Sequence, residues 1–358
     1  MHAVIIAGGS GTRFWPFSRK DRPKQFLSII GNRSMIEETC DRLSPLVKDE
    51  DIIIVLGKDH LNEVIKKLKD RGINILAEPV GRNTAPAIGL GALYAKQNGC
   101  ENALAFLPAD HYIGDTTSFL SCLQRAGDVA ESGGIVTLGI VPTRPETGYG
   151  YIHRSGSGPD SFQTPVYGVS AFVEKPDMET AREYLTSGEY YWNAGIFVAT
   201  PDTILKEIEQ YLPDLHKGLM QLTGSFENES FEQRLKSVYS ELEPISFDYG
   251  IMEKTKSPVY VIPCQCGWSD VGSWESLYEL KESDCDDQKN LSEGETLLID
   301  CRNSYISGKS GRLVACLGID NCIVVDTDDA LLVADRGRSQ EIRRIIEQLK
   351  LNKKEKLL

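Results

Sequence analysis

Residues 3–26 read AVIIAGGSGTRFWPFSRKDRPKQF. The opening run, Ala3 to Gly8, is apolar without alternation, as a strand covered on both faces should be. It breaks into a loop carrying Gly8, Gly9 and Gly11, and five cations follow within twelve residues: Arg13, Arg19, Lys20, Arg22 and Lys24. Glycines let backbone N–H groups approach an anion closely. Crowded cations repel one another unless an anion lies among them, so this stretch predicts a polyanionic ligand. Two common phosphate loops do not fit. The form G-x-x-x-x-G-K-[ST] does not occur here, and G-x-G-x-x-G would need glycine where the chain has Phe14.

Outward from this stretch, short apolar runs alternate with helical patterns. Residues 51–57, 73–78, 103–110 and 134–141 repeat the buried-strand character of 3–8. Between them, Ser34 and Glu37 form a capping-box pattern, and 59–72 predicts a helix ending on Gly72. Asn83 is placed to cap a third helix with Pro86 in its first turn. Such alternation predicts a mainly parallel, Rossmann-like sheet flanked by helices. From about residue 145 the pattern loosens, with strands in 167–176 and 193–200 built onto the same sheet. The acidic stretch 281–295 reads as a linker. Beyond it lie short β-type runs at 296–301, 312–318, 321–327 and 330–335, predicting a small all-β unit. Ile342, Ile345, Ile346 and Leu349 share one face of a final helix. The organisation expected is a catalytic domain over 1–285 and a small C-terminal β domain with a terminal helix over 286–358.

Composition bounds the function. Lys plus Arg is 39, Asp plus Glu is 52, and the net charge is −13. That balance argues against nucleic acid or an anionic membrane as a partner. There is no run of eighteen apolar residues and no secretory leader pattern, so a cytoplasmic protein is expected. The nine cysteines are scattered without C-x-x-C spacing, which reads as reduced thiols rather than a zinc site.

The form G-G-x-G-T-R-x-x-P-x-S-R-x-x-x-P-K-Q-F resembles the pyrophosphorylase loop of the sugar-nucleotide transferases, in the mannose-1-phosphate guanylyltransferase branch. EPVGRNTAPA (78–87), LPADH (107–111), ETGYGYI (146–152), FVEKP (172–176), WNAGIF (192–197), FDYGIMEK (247–254) and GWSDVGSW (267–274) follow in family order. The resemblance covers residues 1 to about 335. It implies transfer of GMP from GTP to α-D-mannose 1-phosphate, giving GDP-mannose and pyrophosphate. Another hexose 1-phosphate or nucleoside triphosphate is the alternative within the class. A catalytically dead regulatory module would have lost Arg13, Lys24, Asp110 or Asp270, and all four are present.

A phosphate monoester has a second pKa near about 6, so its dianion is already a nucleophile at neutral pH and no general base is needed. Catalysis then rests on positioning two anions and neutralising charge. The resemblance implies that Arg13 holds the leaving end of the triphosphate, and that Lys24 bridges the α-phosphate and the incoming phosphate. It further implies a nucleotide site from Gly8, Gly9, Gly11, Thr12, Arg13, Glu78, Arg82, Asn83 and Thr84. Asp110 and Asp270 are the implied ligands of Mg²⁺, which takes one or two carboxylates plus phosphate oxygens and water. The sugar phosphate falls to Asp110, Gly148, Glu174, Lys175, Asn193 and Asp248, with Gly148 giving close approach. Trp192 reads as a core aromatic. In relatives the last unit resembles a short left-handed β-helix and often serves oligomerisation, so a homodimer through the C-terminal region is expected. Every phosphate, metal and sugar motif precedes residue 275, so the tail is expected to stabilise the protein and leave the chemistry alone.

Overall fold

The computed structural model describes residues 1–9, 11–157, 165–226 and 228–358, with the side chain of residue 157 excepted; Ser10 of the glycine loop lies outside the described residues. The chain divides into two compact units, each assembled from separate segments. The first comprises Met1–Gly8, Glu37–Ala109 and Ile113–Trp268; the second comprises Gly9–Ile36, Asp110–Tyr112 and Ser269–Leu358.

In the first unit the predicted alternation is realised. Strands β1 (His2–Ala7), β2 (Ile52–Gly57), β3 (Asn74–Glu78) and β4 (Leu104–Pro108) pair in parallel in the order β3–β2–β1–β4. Helices α1 (Met35–Leu43), α2 (Leu61–Lys67) and α3 (Thr84–Gln97) fall among them. Helix α2 stops five residues short of Gly72, because Asp70 and Gly72 both turn left-handed. Helix α3 is apolar nearly all round and is accordingly buried. The two-residue strand β5 (Tyr112–Ile113) precedes α4 (Thr116–Glu131).

The remaining strands are β6 (Ile135–Ile140), β7 (Tyr151–Ser157), β8 (Tyr167–Val173), β9 (Tyr190–Ala199) and β10 (Val259–Cys264). They extend the same sheet to nine strands in the order β3–β2–β1–β4–β9–β6–β10–β8–β7. Strand β9 runs antiparallel to both β4 and β6, which makes the second half mixed. Helices α5 (Met178–Ser187), α6 (Pro201–Tyr211), α7 (Pro213–Met220) and α8 (Phe231–Glu241) complete the unit, and β11 (Trp268–Ser269) leaves it.

The second unit stacks short parallel strands. Strands β12 (Leu291–Gly294), β14 (Tyr305–Gly308) and β16 (Cys322–Asp326) pair in register, so Leu291, Tyr305 and Ile323 form one buried column. Strands β13 (Thr296–Ile299) and β15 (Val314–Leu317) form a second parallel pair, and β17 (Leu331–Asp335) closes antiparallel on β16. Asp300, Asn303 and Asn321 take positive φ at the corners, a conformation their short polar side chains tolerate. This is the β-helix-like unit the sequence predicted. The stretch 281–295 is not a loose linker. Asp286 accepts from the backbone N–H of Asn290 at 2.7 Å, Asn290 donates to the Cys301 carbonyl at 2.8 Å, and Lys281 bonds Glu293 at 2.5 Å. Its polar side chains satisfy one another in turns, where composition alone suggested solvent.

The core of this unit joins the start of the chain to its end. Phe14, Trp15, Leu27 and Ile29 share one cluster with Trp274, Leu277, Tyr305, Val325, Leu332, Ile342 and Ile346. Trp274, the N1 residue of α9 (Trp274–Leu280), is fully buried. Its ring lies 5.0 Å from Phe14, 5.1 Å from Phe17 and 5.3 Å from Tyr305, and its indole N–H donates to the Trp15 carbonyl at 3.2 Å. Helix α10 (Arg343–Leu351) adds Ile346. Truncating a buried aromatic loses both transfer energy and packing. Tyr305→Ala is therefore expected to lower unfolding free energy by about 3–5 kcal/mol in urea titrations, and a loss below about 1 kcal/mol would mean the cluster is not a continuous core.

Candidate active site

In the second unit the candidate residues gather on Lys24. Pro23 introduces a single 3₁₀ turn, Lys24–Phe26, whose three side chains are all buried. Lys24 is only 4% exposed. A buried ammonium is tolerated only with partners, and among the described residues Lys24 Nζ has two: it donates to Asp110 Oδ2 at 2.8 Å and to the backbone carbonyl of Asp270 at 2.5 Å. An ammonium has three donors, so one is left for a ligand. Gly11 is forced by this packing. Its φ is +53°, and a Cβ there would lie 2.4 Å from Lys24 Cβ.

Protein atoms crowd Asp110, yet 31% of its side chain remains exposed. Burial works against its ionisation, but Lys24 and His111 outweigh it and hold the carboxyl below its usual range. Asp270 Oδ1 accepts from the Gly272 N–H at 3.1 Å. The sequence-predicted pair Asp110 and Asp270 thus meets on one ammonium, Asp110 through its carboxylate and Asp270 through its main chain. Both offer oxygen donors. Among the described residues no group of three His, Cys, Asp or Glu could cage a metal. A site of two carboxylates completed by phosphate and water suits Mg²⁺. Arg13 occupies a 3₁₀ turn, Thr12–Phe14, and its Nη1 donates to Gln340 Oε1 at 2.9 Å.

In the first unit a second group surrounds Asn193 on β9. Its Nδ2 donates to Asp248 Oδ1 at 2.7 Å, its Oδ1 accepts from Gly195 N–H at 2.9 Å, and its own N–H donates to the Gly150 carbonyl at 2.8 Å. Burial pushes the Asp248 carboxyl up; the Asn193 hydrogen bond opposes that, and Glu174 adds to it. Glu174 pairs with Lys175, which takes a positive φ of 46°. The glycine packed against Glu174 and Asn193 is Gly150. A Cβ on Gly150 would stand 2.5 Å from Glu174 Oε2 and 3.4 Å from Asn193 Cβ, whereas Gly148 is exposed and bonded to Glu146. Trp192 is buried as expected, with Tyr149 edge-on at 5.2 Å.

The motif 78–87, expected from the sequence to hold the nucleotide, is largely engaged in holding its own loop. Asn83 caps α3 by accepting from Thr84 N–H at 2.9 Å, and Thr84 Oγ1 accepts from Phe247 N–H at 2.9 Å. Arg82 donates through Nε and Nη2 to the carbonyls of Tyr239 and Ser240. Glu78 ends β3 and is 4% exposed. Burial raises its carboxyl from the ordinary 4.5 to about 7, and the Tyr239 hydroxyl offsets part of the rise.

A model of the nucleotidyl transferase family matches residues 2–287, and one described as a mannose-phosphate isomerase/GMP-like β-helix domain matches 294–349. The xanthan biosynthesis protein XanB of Xanthomonas campestris pv. campestris (strain B100) is 42% identical over 351 residues, covering 97% of this chain and 73% of that one. A mannose-1-phosphate guanylyltransferase of Klebsiella pneumoniae is 42% identical over 98% of this chain and 74% of its own. A crystal structure described as a mannose-1-phosphate geranyltransferase of Thermus thermophilus superposes with a TM-score of 0.87 at 36% identity, covering 98% of this chain and 99% of that one.

Between its unfolded and folded pKa values Glu78 binds more proton in the fold, so its contribution to stability falls as pH rises from about 4.5 to about 7 and is level above. Glu78→Gln should flatten that slope and raise the melting temperature at pH 8 relative to the parent. An unchanged slope in thermal melts would show that Glu78 titrates normally.

Proposed function

The chain belongs to the nucleotidyl transferase family as a mannose-1-phosphate guanylyltransferase, and we propose that it joins GTP and α-D-mannose 1-phosphate by in-line displacement. A phosphate oxygen of the sugar phosphate bonds to the α-phosphorus of GTP. The bond to the β-phosphate bridging oxygen breaks, and pyrophosphate carries away the electron pair. No proton need be removed, because the attacking phosphate is already a dianion. The observation that carries this reading is the Lys24 ammonium, buried and held by Asp110 and the Asp270 carbonyl with one donor to spare.

Lys24 bridges the α-phosphate and the incoming phosphate as a point charge, while the Arg13 guanidinium holds the leaving end. The turn at Gly8, Gly9, Gly11 and Thr12 presents backbone N–H groups to the triphosphate. Asp110 and Asp270 hold Mg²⁺, which supplies charge neutralisation to the phosphates. Glu78, Arg82, Asn83 and Thr84 form the purine side. For Arg82 and Thr84 their engagement in the fold supports a role in shaping that loop. On the sugar side, Glu174, Asn193 and Asp248 accept and donate to hydroxyls, Lys175 takes the phosphate, and Gly148 and Gly150 form the backbone bend. The catalytic region of this proposal is 1–285 and the β unit is 286–358. Its partners are the two substrates, with no nucleic acid or membrane. No helix among the described residues is long and apolar enough to cross a membrane. The scattered free thiols support a cytoplasmic setting. A homodimer through the C-terminal unit is supported by its exposed apolar stripe, where Ile299 pairs with Leu317 and both face out beside Leu297 and Ala315.

Pyrophosphate release should require GTP, mannose 1-phosphate and Mg²⁺ together. Release at equal rate with another nucleoside triphosphate or hexose 1-phosphate would overturn the specificity. Lys24→Ala should lower turnover at least about a hundredfold, the scale for losing one charge-stabilising group, with circular dichroism unchanged. Near-normal turnover would remove Lys24 from the mechanism. Asp110→Asn and Asp270→Asn should each weaken Mg²⁺ dependence, and the double variant should be little worse than the worse single, because both serve one ion. Multiplicative losses would assign them separate roles.

A further inference from the structure

One contact of the second unit bears on the expectation that the tail leaves the chemistry alone. Gln340 lies 327 residues from Arg13 in the chain, yet accepts a hydrogen bond from Arg13 Nη1 at 2.9 Å. The pairing is not a chance meeting of two loose side chains, because both backbones are fixed. On the loop side, Arg13 stands between Gly11, whose left-handed φ is dictated by Lys24, and Phe14 and Trp15, which are buried. Trp15 Nε1 donates to the Leu357 carbonyl at 2.8 Å, and its main-chain carbonyl accepts from Trp274. Arg19 pairs with Asp329 at 2.8 Å.

On the tail side, Gln340 belongs to a 3₁₀ segment, Arg336–Ile342, that is tied at both ends. Arg336 donates to the Asn303 carbonyl at 2.9 Å, pairs with Glu275 at 2.8 Å, and lies 3.9 Å over the Tyr278 ring. Ser339 and Ile342 are buried on either side of Gln340. The glutamine is thus an exposed group on a rigid support. Its amide oxygen meets one N–H of a guanidinium that has five.

We propose that Gln340 is a positioning residue for the transfer reaction: by accepting from Nη1 it fixes the plane of the Arg13 guanidinium, so that the opposite edge faces the triphosphate. This rests on the reading of Arg13 as a phosphate ligand. A neutral acceptor suits the task. It removes rotational freedom from a long side chain, where a carboxylate would also neutralise the charge that the phosphates need. The C-terminal unit, on this account, sets the geometry of a catalytic side chain in addition to its packing role.

Arg13→Ala is measured first. Loss of turnover by about a hundredfold supports its role, and full activity overturns that role and this inference with it. Gln340→Ala should then lower kcat/KM for GTP about tenfold, the scale for one hydrogen bond to a charged group, while KM for mannose 1-phosphate and the melting temperature stay put. Gln340→Met, which keeps the length and drops the acceptor, should match the alanine variant. The double variant Arg13→Ala/Gln340→Ala should be no slower than Arg13→Ala alone. Any of three results overturns the proposal: parental kinetics in Gln340→Ala, full rescue by Met, or losses that multiply in the double variant. A faster Gln340→Ala also overturns it, since the glutamine would then be holding the guanidinium away from phosphate.

Discussion

The structure of the second unit depends on one buried positive charge. Lys24 has almost no access to water, and an ammonium in that position must be compensated within hydrogen-bond reach. The compensation comes from distant parts of the chain: the carboxylate of Asp110 and the main chain at Asp270. Keeping them there requires the left-handed turn at Gly11, the turn at Lys24 and the bend 270–273 that leads into α9. Asp110 stays ionised because of the same ammonium, so the electrostatics of the carboxylate and the lysine are one arrangement. The site is built around opposite charges whose balance a polyanion and a cation would both alter. That suits a reaction in which two phosphorylated molecules enter and one pyrophosphate leaves.

Much of this is legible in the amino-acid sequence. The strands at 3–8, 51–57, 73–78, 103–110 and 134–141 are visible because each is uniformly apolar, and the structure has a strand in each of these stretches. Asn83 announces itself as a cap through its residue type and the helical pattern after it. Lys24, Asp110 and Asp270 stand out by their motifs, and they do converge. Other features leave little trace in the sequence, for physical reasons. Gly148 and Gly150 are indistinguishable as letters, and only the position of Glu174 tells which one lacks room for a Cβ. Arg82 and Thr84 sit in a motif rich in ligand-type residues, but their polar groups also hold the 239–247 segment, a use that leaves no local trace. The acidic stretch 281–295 looks solvated because its charges and amides find each other only after folding. Gln340 is invisible for the plainest reason: a contact across 327 residues carries no periodicity or spacing to detect.

The way the second unit is assembled bears on how the protein is made. That unit draws residues 9–36 together with residues 269 onward, and the bond between Trp15 and Trp274 spans 259 positions. The residues of the first unit between them can collapse on their own sheet as they leave the ribosome. The glycine loop cannot reach its final conformation then, because Trp274, Tyr305 and Ile342 do not yet exist. Loop closure over such a distance is slow relative to local structure, and synthesis at about 5–20 residues per second adds a wait of tens of seconds. During that interval the glycine loop of the nascent chain is unsupported, its aromatic residues open to other partners. The conformation of the glycine loop is therefore set only once residues 269 onward have been made, and a ribosome that stalls before the β-helix leaves that loop without its partners.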